Sequence, residues 1–116
     1  MSSSPLDAET IANIRALAGE EGEDFLREIV TIFLEDTPLR LNELDEALKA
    51  ADAPKFARAA HSIKGSSSNV GAVRLRAEAE AMERKAHLGL DGAAEAVVRL
   101  REEFERTKQA LTELIG

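Results

Sequence analysis

One of the chain's two histidines, His61, stands in the run Ala60-His61-Ser62-Ile63-Lys64-Gly65, followed by three serines. Imidazole changes charge near neutral pH, and its neutral form is a good nucleophile. A histidine kept for packing wants bulky neighbours, whereas small ones leave access. On a helix, the same-face neighbours of His61 are Arg58, Ala57 and Pro54 before it and Lys64, Gly65 and Ser68 after it. Gly65 is the odd choice, because glycine inside a helix costs about 0.5–1 kcal/mol against alanine. It makes sense if the backbone of another molecule has to approach the imidazole closely.

The charge around His61 points the same way. The segment from Pro54 to Ala77 holds five of the 15 Lys and Arg residues (Lys55, Arg58, Lys64, Arg74, Arg76) and none of the 22 Asp and Glu, in a chain of net charge −7. Positive charge beside a nucleophilic histidine suits a phosphoryl group, which brings nearly two negative charges and three acceptor oxygens. Lys64, one turn along, is placed to steer or stabilise such a group. A basic run is ordinarily just a solvated face, but its conjunction with His61 and Gly65 favours the phosphoryl reading. Ser66, Ser67 and Ser68 invite a serine–histidine arrangement, yet nothing marks an oxyanion hole, and small polar packing accounts for them better. His61, Glu83 and His87 would make a thin metal site, and Glu83 with His87 reads more simply as a surface pair.

The elements that must carry these residues follow from apolar spacing. Asp7 caps a short first helix that carries Ile11, Ile14 and Leu17 and is closed by Gly19 and Gly22. Leu26, Val30, Phe33, Thr37, Leu41, Leu44, Leu48 and Ala51 then form one stripe of a long amphipathic helix. Pro38 interrupts that stripe and is expected to kink the helix or split it. Asp52 caps a third helix, with Pro54 in its first turn, Phe56, Ala59, Ala60, Ile63, Ser67 and Val70 facing inward, and Gly71 as its stop. A fourth helix, about Val73 to Leu88, buries Leu75, Ala79, Met82 and Ala86. Asp91 caps a fifth, which uses Ala94, Val97, Leu100, Phe104, Leu111 and Leu114 or Ile115. Short connections favour antiparallel neighbours. The expected fold is all-α, an up-down-up-down four-helix bundle preceded by a short N-terminal helix.

Composition bounds the rest. A chain of 116 residues, 44% hydrophobic, supports one domain over residues 1–116, with residues 1–6 as a flexible lead. It has no cysteine, which excludes disulfides, thiolate nucleophiles and cysteine zinc sites. The acidic balance argues against nucleic acid or an anionic membrane surface as the principal partner. No secretory leader or membrane span is evident, so a cytoplasmic protein is expected.

Residues 60–75, AHSIKGSSSNVGAVRL, resemble the signature of histidine-containing phosphotransfer (HPt) domains of two-component phosphorelays. Ala60, His61, Ile63, Lys64, Gly65, Val70, Gly71 and Leu75 match its pattern, and the resemblance extends over about residues 7–115. It implies a four-helix bundle whose His61 accepts a phosphoryl group from a receiver-domain aspartate and returns it to another, with attack by Nε2. Lys64 would lie beside the phosphate and Gly65 would clear space for the receiver. Glu83, 22 positions after the histidine, stands where family members place a hydrogen-bond partner for the other ring nitrogen; an ordinary solvated helix charge remains the alternative. His87 falls where some relatives carry a basic residue, and a surface histidine is the simpler reading. The implied partners are response-regulator receivers and a histidine kinase, met by a monomer. Mg²⁺ would come from the receiver, with no cofactor of the chain's own and no kinase activity of its own. An adaptor of the same fold that binds a receiver or kinase without transferring phosphate is the competing possibility.

Overall fold

Residues 4–116 are described in the computed structural model of the chain. Helix α1 spans Ala8–Leu17. Its cap is Asp7, whose carboxylate accepts the Thr10 hydroxyl at 2.6 Å and the Glu9 amide at 3.4 Å. The Thr10 bond, the strongest influence, holds the Asp7 carboxyl below the usual range. A 3₁₀ turn over Gly19–Glu21 follows, with Gly19 at φ +57°. Gly22 is not the expected stop. It opens α2, and a Cβ there would stand 2.2 Å from the carbonyl oxygen of Arg15. Glycine at position 22 lets α1 and α2 touch.

Helix α2 runs unbroken over Gly22–Ala50, so the split expected at Pro38 does not occur. Proline removes one amide from the helical ladder. Buried residues on both sides of it, Phe33 and Thr37 before and Leu41 and Leu44 after, hold the two halves against the core as one helix. The stripe ends with Ala47 buried in place of Leu48, and Ala51 turns the chain at φ +51°.

Helix α3, Ala53–Asn69, is as predicted: Asp52 accepts the Lys55 amide at 3.0 Å, and the six expected core residues are all buried. Gly71 reverses the chain at φ +71°, and its carbonyl accepts the amide of Asp7 at 2.7 Å. The start of α1 is thus tied to the turn after α3. Helix α4 spans Val73–Ala86, somewhat shorter than expected, and buries the four residues predicted. Helix α5 spans Ala93–Ile115 and departs further. Its cap is the backbone of Gly92 at φ +75° rather than the side chain of Asp91. Ala93 and Ala96 face inward while Ala94 is exposed, and Glu103 and Thr107 occupy buried positions.

Each of α2, α3 and α4 packs against the next, and α5 closes the ring on α2. The result is the expected antiparallel up-down-up-down bundle, with α1 laid against α2 and no strand among the described residues. Phe33 and Phe104 meet across the α2–α5 seam with ring centroids 6.0 Å apart. Of the expected flexible lead, residues 1–3 lie outside the described residues, and Leu6 packs against the core.

Candidate functional site

The site is built on the α3–α4 hairpin. Ala59, Ala60 and Ile63 face the core of α3, which turns His61 outward, and its side chain is 65% exposed. On α4, burial of Ala79, Met82 and Ala86 leaves Glu83 at the edge of the seam. Alanine at 60, 79 and 86 allows close approach of the helices, since interaxial distance follows the side chains at the contact. The outcome is a chain of three groups. His61 Nδ1 lies 2.9 Å from Glu83 Oε2, and Lys64 Nζ lies 2.8 Å from Glu83 Oε1.

The hydrogen bond from the Lys64 ammonium holds the Glu83 carboxyl below its usual range. His61 adds to this, and partial burial works against it. An ionised carboxylate only accepts, so the hydrogen of neutral His61 is assigned to Nδ1. The lone pair of the neutral ring is then on Nε2, and the exposed imidazole is oriented by a carboxylate behind it.

Gly65 is exposed, and a Cβ added there would meet nothing within 4 Å. The face of α3 one turn beyond His61 is therefore open. Lys64 lies one turn along α3 from His61 and pairs across the seam. Its ammonium is joined to Glu83, so its charge reaches the ring through that carboxylate. The basic run is also less positive than its linear count. Lys55 pairs with Glu46 at 3.0 Å, Lys64 with Glu83, and Arg76 with Glu80 at 3.9 Å, all carboxylates from outside residues 54–77. Folding supplies neutralising partners that a count along the chain leaves out.

The serines form no nucleophilic constellation. Ser66 donates its hydroxyl to the carbonyl of Ser62 at 3.1 Å, and the Ser67 hydroxyl is fully buried without a hydrogen-bond partner among the described residues. His61 and Glu83 border an open groove of about 750 Å³ between the first half of α3 and the end of α4, and Pro54, Ala57, Arg58 and His87 line it too. His87, read as a surface histidine, shares this groove. Its spacing of four from Glu83 was the available signal. Arg58 likewise reaches the groove through its spacing of three from His61. Among the described residues no group of three or more His, Asp or Glu side chains is arranged to hold a metal ion.

The Hpt domain family model matches residues 28–111, which include α3, α4 and every site residue named above. The chain belongs to the Hpt domain family. A crystal structure of histidine-containing phosphotransfer protein B from Pseudomonas aeruginosa PAO1 superposes with a TM-score of 0.88 at 30% identity, covering 98% of this chain and 96% of that one. Histidine-containing phosphotransfer protein 1 of Arabidopsis thaliana is 35% identical over 65 residues, 54% of this chain and 42% of the relative. Protein 5 of the same name and organism is 34% identical over 68 residues, 56% of this chain and 43% of the relative. The matches thus span less than half the length of these two curated relatives. Among the described residues, no helix of this Hpt domain is long and apolar enough to cross a membrane.

Proposed function

We propose that this Hpt domain relays phosphoryl groups between receiver-domain aspartates through Nε2 of His61. The observation that carries the reading is the 2.9 Å contact of His61 Nδ1 with Glu83, on an exposed histidine within the segment matched by the family. The Nε2 lone pair attacks the phosphorus of an aspartyl phosphate. The N–P bond forms as the bond from phosphorus to the aspartyl oxygen breaks, and the aspartate leaves as a carboxylate. The ring keeps its proton on Nδ1 and so becomes positive, facing the negative charge of Glu83. Transfer onward reverses these steps.

Glu83 is the positioning residue, fixing both the tautomer and the ring. Lys64 holds the Glu83 carboxylate in place from its other oxygen, and Gly65 leaves room for the incoming backbone. The Mg²⁺ that phosphoryl transfer requires belongs to the receiver, and the phosphoryl group originates at a histidine kinase. The protein is a carrier working in the cytoplasm and does not phosphorylate itself from ATP. Incubation with a phosphorylated receiver domain and Mg²⁺ tests this. Acid-labile, base-stable label should appear on the wild type and not on His61→Gln. Equal labelling of that variant, or stable receiver binding without label on the wild type, would establish the adaptor reading instead.

A further inference from the structure

The cations around His61 differ in whether their charge is still available. Lys64 is committed to Glu83 at 2.8 Å and Lys55 to Glu46 at 3.0 Å. Arg58 lies one helical turn before His61, is exposed, and lines the groove shared by His61, Glu83 and His87. None of the ion pairs and side-chain hydrogen bonds among the described residues involves it. The smaller depression on its other side is bordered by Arg40 and Glu43, which pair with each other at 2.9 Å.

Resting on the reading of His61 as phosphoacceptor, we propose that Arg58 binds the phosphoryl oxygens carried on His61, whereas Lys64 acts through Glu83. Three arguments support it. The charges of Lys64 and Glu83 cancel, while an arriving phosphoryl group brings about −1.5 to −2. Arg58 and His61 line the same groove, so both side chains border the space in which a group carried on the ring would sit. Residues three apart have Cβ atoms about 5–6 Å from each other, within reach of an arginine stem. A guanidinium then offers a planar fork that can hold two phosphoryl oxygens at once.

Potassium phosphoramidate tests the proposal because it brings no protein surface. The Nε2 lone pair forms the new N–P bond, the P–N bond of the reagent breaks, and its protonated nitrogen leaves as ammonia. A charge-assisted hydrogen bond to the transferred group corresponds to a loss of roughly tenfold in labelling rate for Arg58→Ala. Arg58→Gln should be similarly slow, Arg58→Lys intermediate, and all three should melt with the wild type. The phosphorus resonance of labelled His61 should shift in Arg58→Ala. Labelling of Arg58→Ala by phosphoramidate at the wild-type rate, with slowing only when a receiver is the donor, would make Arg58 a docking residue and overturn the proposal. A wild type that takes no label from phosphoramidate or from a receiver would overturn the phosphoacceptor reading, and this one with it.

Discussion

Glu83 joins two residues with one carboxylate, taking the Nδ1 proton side of His61 on one oxygen and the ammonium of Lys64 on the other. Its lowered pKa sets the sign of a pH effect. Because the folded value lies below the unfolded one, about 4.3 for a glutamate, the stabilisation is complete above the unfolded value. It disappears as pH falls through the folded value. Glu83→Gln should therefore lose about 0.5–1 kcal/mol in urea unfolding at pH 7, and the difference should vanish in acid. Phosphotransfer to the same variant should slow roughly tenfold, because the charge facing the imidazolium is gone. A stability difference that persists unchanged at pH 3 would refute the ion-pair account. The contact of His61 with Glu83 was legible through the spacing of 22 in the family pattern, and the open space at Gly65 through the oddity of a glycine within a helix. The commitment of Lys64 to Glu83 was not. It depends on how two helices meet across a seam, and no spacing on a single helix encodes that.

At the scale of elements, two glycines make opposite predictions. Gly65 sits within α3 with open space where a Cβ would go, whereas a Cβ at Gly22 would collide with the backbone of Arg15. Gly65→Ala should stabilise the fold by about 0.5–1 kcal/mol, and Gly65→Leu should fold but transfer more slowly. Gly22→Ala should destabilise by at least about 2 kcal/mol as α1 is pushed off α2. Thermal melting of the three variants checks both signs, and a stabilised Gly22→Ala would sink the close-approach argument. Helix positions were readable because apolar periodicity is strong in α2, α3 and α4. The misreadings had local causes. Pro38 is a breaker by propensity, but the core stripe continues on both sides of it. In α5, Thr107 and the partly aliphatic Glu103 take buried positions that an apolar pattern passes over, and the stripe is displaced by one residue at its start.

The molecule as a whole is a bundle with an extra helix closing one side. The family match begins at residue 28, inside α2, so α1 lies outside it. Even so, α1 gives Ile11 and Ile14 to the core, and the amide of its cap residue, Asp7, is tied to the turn after the site helix. The bond from Asp7 to Gly71 makes a single proton a reporter. Amides in hydrogen bonds exchange with solvent only when the structure holding them opens. The Asp7 amide, which lies just ahead of α1 and outside any helical ladder, should be protected for as long as the α3–α4 turn stays closed. Gly71→Ala, strained at φ +71° and crowded by Thr10 at 3.0 Å, should speed its exchange at least tenfold and leave core amides such as Leu100 slow. Unchanged protection would mean that the residue ahead of α1 is held by something other than the Gly71 turn. If the amide responds, deuterium uptake at residue 7 becomes a clock for the opening of the hairpin that carries His61, readable with no label on the histidine.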